Sequence, residues 1–409
     1  MILKVKLGDA VHIKNLVSAV SKFPCNADLQ SGTFVVDAKS ILGVLSLPTK
    51  ETGILQVYSD DPQICTPLLE HLEALGILCK EGPMIQKTTF LACALGEMLI
   101  DFTRQGRNAQ GQRIFAQNAG GAPANVMAAM AKLGARTAFI GKAGNDMHGR
   151  FLKETLDNCG INSSGFTLSD DYFTTLAFVD VKADGEREFS FARNHGADKM
   201  LEKEEVPLDL IRSSSILHVG SVSLTDEPVR STTLFAVQKA REAGCIISYD
   251  PNYRASLWKS EETAKKHMRN MLRYVDILKI SEEETALMTG ASNYEKAAEI
   301  LLLQGVKIVV VTLGKLGAYV RTQDGGKIVK GFRNKAVDAT GAGDSFWGGF
   351  LYQFSRCSKA PEDVTVFEAA EFADFGNAVA SVCVEHHGAI PAMPTMEQVT
   401  EKMMEERQD

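Results

Sequence analysis

The chain has 409 residues, with 44 Lys+Arg against 51 Asp+Glu, a formal net charge of −7 and a pI near 5.7. That is long enough for two or three domains at ~150 residues each, and too acidic for a protein that wraps nucleic acid or lies on an anionic membrane. Hydrophobic residues at 45% and charged residues at 23% exclude a disordered chain.

No apolar run approaches the ~18 residues of a membrane-spanning helix. The start, Met1-Ile2-Leu3-Lys4-Val5-Lys6, has charges where a signal peptide needs an apolar stretch. The eight cysteines are scattered without metal-ligand spacing, which fits reduced thiols and a cytoplasmic protein.

The first 88 residues contain no arginine; the first is Arg104. Leu68, Leu69, Leu72, Leu75 and Leu78 have helical spacing, and Lys80-Glu81-Gly82-Pro83-Met84 reads as the end of that helix and the start of a linker. The expected division is a small domain over 1–80, a linker over 81–88, a large domain over 89–397 and a charged, solvated tail over 398–409. In the large domain Phe90–Leu99 reads as a strand, Ala124–Leu133 as a helix and Thr137–Gly141 as a strand. Ser215–Val219, Ile246–Asp250, Ile277–Ile280 and Lys307–Thr312 read as further strands, each followed by a helical period. This alternation predicts an α/β domain with a mostly parallel sheet covered on both faces. Thr174–Lys182 and Arg187–Arg193 flank Asp184-Gly185, a hairpin signal and a candidate flap.

The chemistry concentrates in Val337-Asp338-Ala339-Thr340-Gly341-Ala342-Gly343-Asp344, followed by Phe346, Phe350, Leu351 and Phe354 at helical spacing. A glycine loop opening a helix aims several main-chain N–H groups at one point, where the helix dipole adds positive potential. An anion such as a phosphoryl group fits there, and Asp344 in the first turn could accept a proton. Alone, the same loop reads equally as a helix start capped by Asp. Gly120-Gly121-Ala122-Pro123-Ala124-Asn125 opens another helix that a ligand could approach closely; a tight turn is the simpler reading. Asp101 after a strand over 95–100, and Asp250-Pro251-Asn252 at the end of Ile246–Tyr249, are polar residues at strand ends, where parallel sheets bind ligands. Thr312-Leu313-Gly314-Lys315-Leu316-Gly317 suggests a loop under a nucleotide. The chain has neither a phosphate-binding Gly-Lys-Ser/Thr loop nor a dinucleotide GxGxxG after a strand.

Together these residues resemble a known family. Asn118–Gly149, with Gly120–Asn125 and Gly141-Lys142-Ala143-Gly144-Asn145-Asp146, resembles the first signature of the ribokinase/PfkB sugar kinases, and Asp338–Gly349 resembles the second. Gly96–Phe102, Asp184–Phe189, Arg193-Asn194, Ser248–Arg254 and Lys279–Glu284 are most similar to fructokinases. The resemblance implies a ribokinase-like three-layer α/β/α core with a small β-sheet lid. It implies Asp344 as the base, with the amides of Gly341, Ala342 and Gly343 as the anion hole. Asp101, Gly120, Gly121, Asn125, Asp250 and Asn252 would meet the sugar, which Phe191 and Arg193 would cover from the lid. Lys279, Thr312, Gly314, Gly317 and Asn377 would serve ATP, and Glu284 would order the hydration shell of Mg²⁺. Asp338 and Thr340 would hold a monovalent cation such as K⁺. The family's Asn-x-x-Glu motif has Ser281 in place of its Asn.

The implied activity is ATP-dependent phosphorylation of a sugar, first of all fructose. The alternatives are another kinase of this fold, acting on 2-keto-3-deoxygluconate or ribose, and a sugar-binding regulatory sensor. Pairing of lid strands implies a homodimer.

The first 80 residues resemble the histidine phosphocarrier protein HPr: Ala38–Leu47 matches its regulatory-serine helix, with Ser40 and Phe23 in register. The alignment puts Asp9 where the phosphoryl-accepting His belongs, and a three-residue shift would supply His12. This implies a small α+β fold serving as a degenerate docking or structural module with a protein partner. His386-His387, Trp258, Trp347 and the cysteines read as structural residues rather than ligands.

Overall fold

In the computed structural model, which describes residues 2–7, 10–31, 34–47, 52–59, 62–78, 89–181 and 187–405, the chain forms two units, Met1–Lys87 and Thr88–Asp409. In the first unit β1 (Ile2–Lys6), α1 (Ala10–Ser21), β2 (Ala27–Ser31), β3 (Phe34–Asp37), α2 (Ile41–Leu45), β4 (Thr52–Val57) and α3 (Pro62–Ala74) follow in order. The strands pair antiparallel as β1-β4-β2-β3, so the α+β expectation holds. Alternate residues of the strands, among them Ala27, Leu29, Leu55 and Val57, face Leu16, Val20, Leu68 and Leu72 of the helices. The helix expected to run on to Lys80 ends at Ala74, because Gly76 turns into the left-handed region (φ +65°) and Ile77 N–H bonds back to Leu72. The linker 81–88, Asp9 and the hairpin tip Asp184-Gly185 lie outside the described residues.

The second unit opens with β5 (Phe90–Leu95), β6 (Leu99–Arg107), β7 (Arg113–Gly120), α4 (Ala122–Lys132), β8 (Thr137–Gly144), α5 (Met147–Asn158), β9 (Asn162–Ser169), β10 (Leu176–Val181) and β11 (Arg187–Ala192). It continues through α6 (Leu208–Arg212), β12 (Ser214–Gly220), α7 (Val229–Glu242), β13 (Ile246–Asp250), α8 (Glu261–Met271), β14 (Ile277–Ser281), α9 (Thr285–Thr289), α10 (Tyr294–Leu303) and β15 (Ile308–Thr312). The hairpin β16 (Gly317–Thr322) and β17 (Gly325–Lys330) precedes α11 (Ala342–Arg356), α12 (Val366–Cys383) and α13 (Met396–Met403). A nine-stranded sheet runs β17-β16-β15-β14-β13-β12-β5-β8-β9, parallel from β15 to β9. Its strands send alternate residues to two cores. Ala92, Ala94, Ile308 and Val310 pack with α4, α11 and α12, while Cys93, Leu95, Val309 and Val311 pack with α7, α8 and α10. This is the expected three-layer α/β/α core.

The expected strand Phe90–Leu99 is instead two strands in two sheets. At Gly96 the chain passes against Pro123, where a Cβ would meet the ring at 2.5 Å, and Leu99 then starts the lid. The lid sheet is β11-β10-β6-β7, so β6 and β7 complete the predicted hairpin. Asp101 therefore lies inside a lid strand rather than beyond a strand end. The tail after Thr395 is also corrected: Thr395 caps α13, and Val399 and Lys402 are buried, the latter paired with Glu385 and Glu405. Among the described residues no helix is long and apolar enough to cross a membrane.

Candidate active site

The carboxyl ends of β5, β12, β13, β14 and β15 lie along one edge of the large sheet, and the loop before α11 comes to that edge. Gly341 takes a left-handed φ of +78° and lies against Ala389, so closely that a Cβ would meet the Ala389 Cβ at 2.7 Å. That turn brings the N–H groups at the start of α11 together, the arrangement a phosphoryl anion needs, although Ala342 N–H also donates to the Ala339 carbonyl at 3.3 Å. Asp338 folds the loop: its carboxylate accepts from Thr340 N–H (2.9 Å), Thr340 Oγ1 (2.7 Å) and Gly388 N–H (3.0 Å).

Asp344 is buried in the first turn of α11. Its Oδ2 accepts from Asn125 Nδ2 at 2.8 Å and its Oδ1 from Asn252 Nδ2 at 3.3 Å. Burial pushes its pKa above the usual carboxylate range, opposed by Lys279, the Asn125 hydrogen bond and Arg254. A carboxylate held this way is more basic than one in water yet keeps its orientation. Asn125, expected at the sugar, is joined to the carboxylate itself. Asn252 holds a left-handed φ of +46°, a strained conformation for a non-glycine residue, just past the end of β13.

Asp250 and Lys279 form a buried ion pair, Nζ to Oδ2 at 2.7 Å. Burial presses the Lys279 ammonium down, but Asp250, Glu284 and Asp344 outweigh it and hold the pKa above its ordinary value. A Cβ on Gly343 would lie 3.0 Å from Lys279 Nζ. The cation thus sits directly beneath the glycine loop, where it adds to the field of the helix dipole. Asp250 Oδ1 is buried without a hydrogen bond.

Gly120 is fixed by close approach, since a Cβ there would meet Asp101 Oδ2 at 2.1 Å. Gly121 has φ +122° and passes the Glu97 carbonyl. Burial pushes Asp101 up to about 6. Glu97 is buried beside this turn, with Oε1 accepting from Ala122 N–H at 3.2 Å, and burial pushes it up to about 7.

The remaining expected residues have the following surroundings. Arg193 is buried and binds Asp198 through Nε and Nη2 (both 2.7 Å), Thr225 Oγ1 (2.8 Å) and the Val222 carbonyl (3.2 Å). Its guanidinium braces the base of the lid, whereas Phe191 on β11 is half-buried. Asn377 donates to the Val329 and Lys330 carbonyls at 3.2 and 3.3 Å. Gly317 starts β16 with φ +105° where a Cβ would strike the Val329 carbonyl, and Gly314 has φ +57° in the turn after Thr312. Glu284 accepts from Tyr253 N–H (2.6 Å) and Ser281 N–H (2.8 Å). No group of three or more His, Cys, Asp or Glu that could hold a metal directly occurs among the described residues.

Sequence reasoning missed Arg254. It is exposed, and its field lowers the pKa of Asp101, Asp250 and Asp344 alike. Its signal was its place two residues after Asn252.

Residues 89–396 match the family model described as pfkB family carbohydrate kinase. The chain is 41% identical over 313 residues to fructokinase-2 of Oryza sativa subsp. japonica, covering 75% of this chain and 91% of that protein. It is 41% identical over 310 residues to the probable fructokinase-5 of Arabidopsis thaliana, at 75% and 95% coverage. Among solved structures it superposes on the ATP-bound fructokinase of Xylella fastidiosa with a TM-score of 0.71 and 32% identity, over 76% of this chain and 98% of that one.

Proposed function

The chain belongs to the pfkB family of carbohydrate kinases, and on that premise we propose that it transfers the γ-phosphoryl group of ATP to a hydroxyl of fructose. The observation that carries the reading is Asp344, held by two amides at the mouth of a glycine-opened helix above a buried Lys–Asp pair. The ATP-dependent sugar kinase reaction follows from the family; fructose follows from the plant and bacterial fructokinases it resembles.

The Asp344 carboxylate takes the proton of the attacking hydroxyl as that oxygen bonds to the γ-phosphorus. The bond from the γ-phosphorus to its bridging oxygen breaks, and ADP leaves with that electron pair. The N–H groups of Gly341, Ala342 and Gly343, with Lys279 beneath, receive the negative charge gathering on the equatorial oxygens. Asp101, Gly120, Gly121, Asn252 and Phe191 line the sugar side, with Asn125, Asp250 and Arg193 holding the frame behind them. Thr312, Gly314, Gly317 and Asn377 serve the nucleotide side. Glu284 is the residue that would hold Mg²⁺, which would supply further charge neutralisation, and Asp338 and Thr340 would hold a monovalent cation such as K⁺. Closure of the β lid expels water that would compete for the phosphoryl group.

The lid sheet also exposes Phe178 and Ile114, which favours pairing of two lids in a cytoplasmic homodimer. For the amino-terminal unit the reading is a degenerate HPr-like docking module. Ser40 caps α2 through Gly43 N–H at 3.2 Å, as a regulatory-helix serine would, while His12 lies inside α1 rather than ahead of it. A phosphoenolpyruvate-driven relay should leave His12 unlabelled, and label there would overturn the module's non-phosphorylating role.

An ATP-consumption panel over fructose, ribose, 2-keto-3-deoxygluconate, tagatose and nucleosides tests the substrate. Fructose should give the highest kcat/KM. Turnover of another sugar with fructose inert would refute fructose while leaving the kinase.

A further inference from the structure

Two contacts from one face of β13 converge on the start of α11. Asp250 holds the Lys279 ammonium beneath Gly343. Two residues earlier, the fully buried Ser248 accepts the indole N–H of Trp347 at 2.9 Å and lies 3.0 Å from His218 Nδ1 on the paired strand β12. An indole N–H can only donate, so Ser248 Oγ is the acceptor from Trp347, while the direction of its contact with His218 Nδ1 follows the tautomer of the ring. Burial drives the His218 pKa down to about 3, with Lys279 adding to the effect, which favours the neutral ring.

Apart from the Trp347 bond and the bonds of Asp344 itself to Asn125 and Asn252, the helix packs through close apolar contacts. A Cβ on Gly348 would meet Ala129 of α4 at 2.5 Å, and one on Gly349 would meet Val379 of α12 at 2.8 Å. Such packing sets how near the helices lie but resists rotation weakly, because dispersion is not directional. The Trp347–Ser248 bond is directional, and Trp347 lies three residues, nearly one turn, after Asp344.

We propose that Ser248 is a positioning residue for phosphoryl transfer: by accepting the Trp347 N–H it fixes the rotation of α11, and with it the aim of the Asp344 carboxylate at the sugar hydroxyl. The proposal rests on the kinase reading and adds to it a residue that touches neither sugar nor nucleotide.

The test is steady-state kinetics on the full chain for Ser248→Ala, Trp347→Phe and the double variant, with Ile247→Val as a control on the opposite face of β13. Each single variant should lower kcat about ten-fold with KM for sugar and ATP within about two-fold. The double should be no slower than the slower single, because both remove one bond. Ile247→Val should lower Tm and leave kcat unchanged. Trp347→Phe keeps the aromatic packing and decides the question alone if Ser248→Ala does not fold. Wild-type kcat in the single variants, losses that multiply in the double, or a fall in kcat for Ile247→Val would each overturn the proposal. Wild type is run on the sugar panel in the same assay: inactivity there refutes the reaction, whereas an active wild type with unaltered variants refutes the positioning role.

Discussion

Replacing Lys279 with Met gives the most quantitative test of how the site is held. The substitution removes an ammonium 2.7 Å from Asp250 Oδ2, at a place where the lysine is 5% and the aspartate 1% exposed. Removing one partner of a buried pair typically costs about 3–5 kcal/mol, because the remaining charge is uncompensated. Asp250 escapes part of that cost by taking up a proton, since burial already pushes its pKa up and Lys279 opposes the rise. The sign follows from linkage. A carboxylate with a raised folded pKa contributes stability below its unfolded pKa and loses it as pH climbs through the folded one. The deficit of Lys279→Met against wild type should therefore be largest near pH 8 and shrink toward pH 5. Adding Asp250→Asn removes the orphaned charge and should recover most of the loss. Urea denaturation at several pH values measures all three proteins. A deficit below about 1 kcal/mol at pH 8, one that does not shrink on acidification, or a double variant no more stable than the single would refute the argument. Turnover of Lys279→Met should fall about 100-fold or more, the range seen on losing a charge-stabilising donor.

Arg254→Ala should move the acid limb of kcat/KM to higher pH: Arg254 lowers the Asp344 pKa, and the base works only when ionised, so an unmoved limb in a pH–rate profile would contradict the role. Glu97, pushed from 4.5 to about 7 by burial, destabilises the fold once ionised; Glu97→Gln should gain up to about 3 kcal/mol at pH 8 and almost nothing at pH 4, and equal effects at both in thermal melts would rule this out. Gly120→Ala places a methyl 2.1 Å from Asp101 Oδ2 and should raise KM for the sugar about ten-fold or more while leaving KM for ATP unchanged; a normal sugar KM would take Asp101 out of the sugar site.

Local chemistry was legible in the sequence wherever one segment carried it. The Thr340–Asp344 loop could be read as a glycine-opened helix start carrying a carboxylate because those residues are contiguous, and β13 to β15 were visible as β-branched runs with both faces buried. What depends on distant segments was not. Asn125 and Asp344 are 219 residues apart in sequence and 2.8 Å apart in space, and no local pattern pairs them. Arg193 was read as a lid residue over the sugar because two of its partners, Thr225 and the Val222 carbonyl, reach it only through the fold, although Asp198 is five residues away. The break at Gly96 was hidden because apolar residues resume at Met98 after Gly96-Glu97, and the approach of Pro123 from α4 accounts for it. The charged end after Thr395 masked a helix whose one stripe, Val399 and Lys402, is buried.

The rate of ATP-dependent fructose phosphorylation by Asp344→Asn against wild type tests the central claim most directly. Loss of a positioned general base should lower kcat about 10²–10⁴-fold, with both KM values and the Tm close to wild type. A variant turning over within about ten-fold of wild type would mean that the hydroxyl proton leaves by another route, and that the carboxylate at the mouth of α11 is not the base.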